Sequence, residues 1–486
     1  MIDTIVAAVN NVLWGEGLAV NADLPVLGPV DIATGPLLIY MLVFCGIWFT
    51  VKLGGVQFKH FFYMFSVMKG STRSTKEGIS SFQALCTSLS ARVGTGNLAG
   101  VAVAISLGGA GAIFWMWMIA LIGMATGFAE SVLGQLYKVR DDNGEFRGGP
   151  AYYIKQGLGK TWLAVAFSLC LFLGYGFVFS AVQANTITDA LENAYAIPTL
   201  YSGVAIIGLA ALIVVGGLRG IARFAELAVP FMGVGYILVA LVVTAINITE
   251  VPAMLGHIIS AAFGLEEAGA GVLGAAIKNG IQRGLYSNEA GSGSVPHAAA
   301  GAAPNPNHPV SQGYVQMLGV FFDTIILCTC TAFIILLAGS ENAAEGMGGI
   351  GLTQDALRIH IGASGTDFIS AAICLFAFTS VVANYAYGES NLHMFRLDNK
   401  VGRLAYTAGY LGMILWGSMA ALPTVWAMAD MALGLMSVIN IIAIIWMTPT
   451  IVSISKDYFA KRQRGERPEY KQGDCAIQGS TEDDIW

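Results

Sequence analysis

The feature that most constrains this chain is a series of long apolar stretches. An α-helix needs roughly 20 apolar residues to cross the hydrocarbon core of a membrane. Eleven stretches approach or exceed this length, at 35–53, 80–106, 110–137, 161–190, 198–216, 224–247, 268–290, 311–338, 365–388, 404–423 and 426–455. Backbone polar groups inside a bilayer must be bonded within the protein, which favours helices. The sequence therefore predicts an all-α polytopic membrane protein with about 11 transmembrane helices, whose surroundings are a lipid bilayer.

Charge and composition exclude several other classes of protein. Charged residues make up 12% of the 486 residues, against about 25% in soluble domains. The formal net charge of −6 leaves no basic face to neutralise phosphates, so no nucleic acid is expected as a partner. We find no His/Asp/Ser grouping and no metal-ligand spacing that would support catalysis, so the chain is not expected to be an enzyme.

The basic residues predict an orientation. Cytoplasmic loops of membrane proteins carry an excess of lysine and arginine, and most of the 25 basic residues fall in alternate loops and the C-terminal region of this chain. We therefore expect an external N-terminal segment at 1–34, beginning with a short amphipathic helix at the membrane surface. The polar stretch at 456–486 is expected to be a flexible cytoplasmic tail. The expected location is the inner (plasma) membrane of a prokaryote.

Two of the apolar stretches are interrupted by glycine and polar residues, at 88–97 (SLSARVGTGN) and 278–293 (KNGIQRGLYSNEAGSG). Glycine allows a helix to unwind, which frees N–H groups for a carboxylate and carbonyl groups for a cation. Glycine in membrane helices also serves close packing, but polar side chains at this depth are costly unless they are used. Matched interruptions in two halves of a chain point to a transporter binding site.

The positions of the interruptions also predict an internal repeat. If 35–53 is an extra leading helix, the other ten stretches divide into five-helix units at 80–247 and 268–455. Five is an odd number, so the second unit has the opposite orientation in the membrane. This division predicts a five-plus-five inverted repeat.

Several motifs resemble those of one known family. The run GGAGAIFWMWMIALIG at 108–123 resembles the signature of the alanine or glycine:cation symporters, of the sodium:alanine symporter type. Further matches are VGTGN (93–97), GGPAYYI (148–154), VQAN (182–185), RGLYSNEAGSGS (283–294) and the stretch 426–440. The resemblance implies a leucine-transporter-like fold and sodium-coupled import of small neutral amino acids, such as alanine and glycine, by alternating access. A proton-coupled transporter, or one selective for serine or glutamine, is the alternative.

The resemblance also implies residues for two sites. A co-transported sodium ion would lie between the first broken helix and the eighth core helix, within a shell of oxygen ligands suited to a hard cation. The implied sodium ligands are the carbonyl groups of Ser90, Val93 and Phe376 and the hydroxyl groups of Thr379 and Ser380. The implied substrate contacts are Thr95, Gly96, Asn97, Gln183, Asn279 and Gly280.

Four charged residues within the apolar stretches leave alternatives open. Arg92 is either a ligand for the substrate carboxylate or a structural partner of an embedded acid such as Glu130, Glu289 or Asp430. The structural pairing is slightly favoured. Glu130 and Asp430 are either proton carriers or hydrogen-bonding groups that lock helices together.

Overall fold

The computed structural model describes residues 2–15, 19–24, 28–33, 35–71, 73–76, 78–141, 144–214, 217–265, 270–340 and 349–486. The helices begin with α1 (Ile2–Trp14), α2 (Leu37–Lys52), α3 (Val56–Lys59), α4 (Phe61–Lys69), α5 (Ser81–Arg92), α6 (Val101–Gly108), α7 (Gly111–Leu136), α8 (Pro150–Gly157), α9 (Thr161–Leu173), α10 (Phe179–Tyr195) and α11 (Thr199–Val214). They continue with α12 (Gly217–Ile246), α13 (Val251–Ala262), α14 (Ala270–Asn288), α15 (Val295–Ala300), α16 (Pro309–Val320), α17 (Thr329–Leu337), α18 (Ile350–Ile361), α19 (Ala363–Leu392), α20 (Lys400–Met419), α21 (Leu422–Trp446) and α22 (Thr448–Gln463).

The helical prediction is confirmed for the body of the protein. Within the described residues, six stretches of helix are long and apolar enough to cross a membrane, namely Gly111–Leu136, Thr161–Tyr195, Gly220–Ile246, Pro309–Leu337, Ala363–Leu392 and Leu422–Trp446. Shorter apolar helices accompany them, and helical structure occupies each of the eleven predicted stretches. The helices α13 and α18 lie between those stretches and were not predicted.

Two small hairpins lie outside the helical bundle. Strand β1 (Ala19–Leu24) pairs antiparallel with β2 (Gly28–Ala33), in the register that sets Ala19 opposite Ala33. Strand β3 (Val139–Arg140) pairs with β4 (Phe146–Arg147) immediately after α7. The first hairpin falls within the segment 1–34, for which the sequence predicted only a helix.

Packing divides the bundle into two groups of helices, with α5 between them. The long helix α7 packs along α14 and α16, whereas α10 packs along α19 and α20. Helix α5 contacts members of both groups, including α16 and α19. A change in the structure of α5 therefore alters packing contacts with both groups of helices.

The N-terminal helix α1 forms as predicted, and it packs onto the bundle through α21. The Asn10 side chain donates a hydrogen bond of 2.8 Å to the carbonyl oxygen of Ala427. The Trp14 indole is 2% exposed and donates a bond of 3.1 Å to the carbonyl oxygen of Asp430. Helix α1 is thus fixed against the body of the protein by specific bonds.

The C-terminal segment, residues 464–486, also packs onto the bundle. Tyr470 is 2% exposed, and its main-chain N–H donates to the carbonyl oxygen of Asn307 at 2.9 Å. The Trp486 indole donates to the carbonyl oxygen of Leu136 at 3.1 Å, and its ring lies 4.5 Å from the Lys138 ammonium. The prediction of a flexible tail is therefore wrong, because the buried Tyr470 and the partly buried Trp486 hold a polar stretch in place.

Three π-helical turns interrupt otherwise α-helical stretches. They lie at Gly96–Gly100 before α6, at Gly174–Val178 before α10 and at Phe321–Cys328 between α16 and α17. A π-turn bonds each N–H to the carbonyl group five residues earlier, and such turns are frequent at functional sites. The first and third turns contact each other.

Candidate ion and substrate site

The first predicted interruption is present, and it ends α5. Helix α5 starts with a capping box in which the Ser80 hydroxyl accepts from the Gln83 N–H and the Gln83 side chain accepts from the Ser80 N–H. It stops at Arg92, and regular helix resumes only beyond Gly94. A Cβ atom at Gly94 would lie 2.3 Å from the hydroxyl oxygen of Ser380. Only glycine fits at this point, because α19 approaches the main chain so closely.

The residues implied as sodium ligands meet at this break. The Ser380 hydroxyl oxygen lies 2.8 Å from the carbonyl oxygen of Ser90, 3.2 Å from that of Phe376 and 3.5 Å from that of Val93. The Thr379 hydroxyl donates to the same Phe376 carbonyl group at 2.8 Å. All five residues are buried. The end of α5 and the middle of α19 thus form a cluster of neutral oxygen atoms.

The side chain of Gln183 on α10 holds the start of the next helical turn. Its Oε1 atom accepts from the Thr95 N–H at 2.9 Å and from the Thr95 hydroxyl at 2.7 Å. The Asn97 side-chain oxygen accepts from the Gly94 N–H at 3.2 Å. Two N–H groups at the break are therefore bonded to side chains of the protein itself.

Asp323, in the third π-turn, joins the first break to α14. Its carboxylate accepts from the Asn97 amide at 2.8 Å, from the Ser287 hydroxyl at 2.5 Å and from the Thr324 hydroxyl at 2.9 Å. The side chain is fully buried. An acidic residue within an apolar stretch was the only signal of this role in the sequence, and it did not reveal the partners.

The second interruption lies at the C-terminal end of the predicted range. Helix α14 runs unbroken to Asn288, and the chain then turns through left-handed conformations, with φ +56° at Glu289 and +97° at Gly291. The Glu130 carboxylate accepts from the Gly291 N–H at 3.2 Å. The Asn440 amide donates to Glu130 at 2.8 Å and to the Gly291 carbonyl oxygen at 3.0 Å. In this structure Glu130 locks α7 and α21 to the second break.

Two of the implied substrate contacts lie elsewhere. The Asn279 side chain donates to the Ala275 carbonyl oxygen of its own helix, at 2.9 Å. A Cβ atom at Gly280 would lie 2.4 Å from the carbonyl oxygen of Ala112. The structure does not bring these two residues to the break of α5 or to the cavity lining, because this part of α14 is a regular helix whose glycine permits close packing on α7.

A small polar cavity lies between α5, α10, α14, α19 and α21. Its lining residues are Ala91, Arg92, Tyr175, Phe179, Gln183, Tyr286, Glu289, Asn384 and Leu433. The cavity volume is about 10 Å³, which is room for about one water molecule. A larger ligand requires the surrounding helices to separate.

Arg92 lines this cavity and makes no hydrogen bond or close ion pair with the acids that the sequence suggested. The side chain is 2% exposed, and none of its three guanidinium nitrogens has a hydrogen-bond partner among the described residues. Asp430 instead pairs with Arg283, at 2.6 Å. The Trp426 ring stacks 4.5 Å from the Arg283 guanidinium. The suggested pairing of Arg92 with Asp430 is therefore wrong.

Apolar membrane-length helices, a glycine break and a buried polar cavity define a multi-pass membrane transporter of the leucine-transporter type. The fold is similar to that in the crystal structure of MhsT in complex with L-phenylalanine. The TM-score is 0.55, with 17% sequence identity, over 78% of this chain and 98% of that chain.

Comparison with sequence families gives the particular family. The model of the sodium:alanine symporter family matches residues 26–472. The probable sodium/glutamine symporter GlnT of Bacillus subtilis is 44% identical over 441 residues, which cover 90% of this chain and 91% of GlnT. The sodium/alanine symporter AgcS of Methanococcus maripaludis is 37% identical, over 87% of this chain and 94% of AgcS. The chain belongs to the sodium:alanine symporter family and is a transporter rather than an enzyme.

Proposed function

We propose that this protein is a sodium-coupled symporter that imports small neutral amino acids, such as alanine and glycine, by alternating access. The observation that carries the proposal is the oxygen cluster at the end of α5. Carbonyl and hydroxyl oxygens are the ligands that a hard cation prefers. Ser90, Val93, Phe376 and Ser380 supply four of them, and Thr379 stands beside them on α19. The family of the chain supports the choice of sodium.

The amino acid would occupy the polar cavity beside the ion. Gln183 lines that cavity, and its side chain bonds to Thr95, which precedes Gly96 and Asn97 at the break of α5. Sodium bound between α5 and α19 would fix the break and thereby favour substrate binding. By linkage, bound substrate raises the affinity for sodium by the same factor. The membrane potential adds ~2.3 kcal/mol per charge for each 100 mV.

The charge pattern supports a topology for this import. Most basic residues fall in alternate loops and in 456–471, which favours a cytoplasmic C-terminus and an external N-terminus. The proposal places the protein in the plasma membrane of a prokaryote. The ten helical stretches after α2 would form the two inverted five-helix units.

Glutamine is a second candidate substrate and should be compared directly with alanine. The similarity to GlnT, a probable sodium/glutamine symporter, favours glutamine as the alternative to alanine. Proton coupling through Glu130 is disfavoured, because that carboxylate is already bonded to the Gly291 N–H and the Asn440 amide.

Uptake into proteoliposomes tests the proposal. Purified protein would be supplied with labelled alanine under an inward sodium gradient or, separately, an inward proton gradient. We expect concentrative uptake with the sodium gradient only, and inhibition by unlabelled glycine. Uptake driven by protons without sodium would contradict the proposed coupling. Stronger inhibition by glutamine than by alanine would reassign the substrate.

A further inference from the structure

Several residues that line the central cavity carry buried polar atoms without partners. They are the guanidinium nitrogens of Arg92, the hydroxyl groups of Tyr175 and Tyr286 and the side-chain oxygen of Asn384, none of which is bonded within the described residues. More than about 90% of buried polar groups in proteins are hydrogen-bonded, so each exception needs an explanation. Unbonded donors and an acceptor on residues that line one small space indicate a ligand carrying both kinds of group.

The main-chain donors at the break are poorly placed to hold a carboxylate. The N–H groups of Gly94 and Thr95 are bonded to Asn97 and Gln183. Arg92 has three free nitrogens at the same point in the chain. A guanidinium group binds a carboxylate through two parallel bonds, which are stronger than bonds between neutral groups.

An acidic residue lines the same cavity as Arg92. Glu289 is 6% exposed, and one of its oxygens accepts from the Ser294 hydroxyl at 2.6 Å. The Arg92 and Glu289 side chains do not form an ion pair within 4.0 Å. A basic and an acidic side chain that line one cavity without a direct ion pair suit a molecule that carries both charges.

We propose that Arg92 and Glu289 recognise the two charges of a zwitterionic α-amino acid. Arg92 donates to the α-carboxylate, whereas Glu289 and the Asn384 oxygen accept from the α-ammonium group. This inference rests on the proposed function and names the groups that select its substrates. Binding of a zwitterion leaves each buried charge paired, which offsets the cost of removing it from water.

The rest of the lining limits the substrate's side chain. Ala91, Phe179 and Leu433 are apolar, and the cavity is small before it opens. These three side chains offer no partner to a charge on the side chain of the substrate. The site therefore discriminates against simple amines and simple carboxylic acids, and it accepts short neutral amino acids.

Competition binding with truncated ligands tests this assignment. Purified protein in sodium would bind labelled alanine in competition with unlabelled L-alanine, with alaninamide, which lacks the carboxylate, and with propionate, which lacks the ammonium group. In Arg92→Gln we expect alanine to bind roughly tenfold to hundredfold more weakly, the range for bonds to charged groups. Alaninamide should compete as in the parent protein, so the preference for alanine over alaninamide collapses.

Two further variants keep the test decisive if Arg92→Gln fails to fold. Arg92→Lys retains the charge but loses the planar fork, so the same preference should fall by a smaller factor. Glu289→Gln should reduce the preference for alanine over propionate. The matched control is Arg147→Lys, because Arg147 is also buried but pairs with Asp141 away from the cavity. This control should leave both preferences unchanged.

The failures of the two proposals can be told apart. A folded Arg92 variant that still prefers alanine over alaninamide by the parental factor would overturn the role of Arg92. If the parent protein bound and transported no neutral amino acid with sodium, the proposed function itself would be contradicted.

Discussion

The hydroxyl oxygen of Ser380 lies 2.8 Å from the carbonyl oxygen of Ser90, although 290 residues separate them in the chain. The contact joins the middle of α19 to the last turn of α5, where the regular backbone hydrogen bonds of α5 end. A buried carbonyl group without a partner is costly, so the hydroxyl satisfies the broken helix. A cation bound among the same oxygens would satisfy these carbonyl groups more strongly, so the proposed sodium site predicts that the break responds to sodium.

Removal of one hydroxyl should therefore weaken sodium binding. In Ser380→Ala we expect the sodium concentration for half-maximal uptake to rise roughly tenfold or more, because an interaction with a charged group is lost. Thr379→Ala should act in the same direction. Alanine uptake measured against sodium concentration checks both. Ser418→Ala is the control, since the Ser418 hydroxyl is buried on α20 and donates to the Ile414 carbonyl group of its own helix. An unchanged sodium dependence in Ser380→Ala would remove this residue from the site.

The close approach at Gly94 predicts a large effect from one methyl group. A Cβ atom there would lie 2.3 Å from the Ser380 hydroxyl and 2.7 Å from the Gln183 side-chain oxygen. Gly94→Ala should abolish sodium-driven uptake while the protein still folds. At Gly100 the nearest atom would be 3.6 Å away, on Trp426, so Gly100→Ala should retain most uptake. Equal activity of the two variants would show that the break tolerates displacement.

The contacts of Glu130 predict a structural rather than a proton-carrying role. Its carboxylate bonds to the Gly291 N–H and to the Asn440 amide. In Glu130→Gln the new amide group opposes that of Asn440, so we expect a lower thermal unfolding midpoint. The dependence of initial uptake rate on external pH should remain that of the parent. A variant that loses its pH dependence and keeps its stability would instead identify Glu130 as a proton carrier.

His308, which precedes α16 outside the apolar spans, predicts a pH dependence of stability. Burial lowers the pKa of His308 to about 4, even though Asp457 lies 3.2 Å away and acts in the opposite direction. The folded protein therefore holds the ring neutral, and stability should fall as the pH decreases from about 6.5 towards 4. His308→Asn can still cap α16 and should flatten this slope. Thermal unfolding in detergent at pH 4 to 8 measures it, and an unchanged slope would assign the dependence to other groups.

The packed aromatic rings of the C-terminal segment predict a contribution to stability. Trp486→Ala removes the hydrogen bond to Leu136 and the contact with Lys138. We expect a loss of about 1–3 kcal/mol, as is usual for a packed side chain, seen as a lower midpoint of thermal unfolding. Trp162→Ala serves as the control, because Trp162 is 68% exposed. An equal effect of the two substitutions would show that the segment adds nothing specific.

The sequence allowed the first break to be predicted, because Gly94 and Gly96 stand among polar residues within an apolar stretch. The resemblance to a known family then supplied the facing hydroxyl groups of α19. Gly280 lies in a regular helix rather than at a break. The sequence could not show this, because a glycine that unwinds a helix and a glycine that allows a neighbouring helix to pack closely look the same in sequence. Only the carbonyl group of Ala112 against it decides between them.

Other features depend on distant contacts that no local pattern records. The bonds from Asn97 and Ser287 to Asp323 join three separate helical stretches. Asp430, which the sequence suggested as a partner of Arg92, pairs with Arg283 instead. The C-terminal segment is polar on average, but the rings of Tyr470 and Trp486 pack onto the bundle and hold the segment in place.

The three π-helical turns have a consequence for how the cavity can be rebuilt. A π-turn stores one additional residue, and its return to α geometry turns the following side chains by about 100° around the axis. The first turn carries Asn97, and the third carries Asp323. The polar groups that these turns present to neighbouring helices can thus be exchanged by a shift of register within a helix, without tilting the helix.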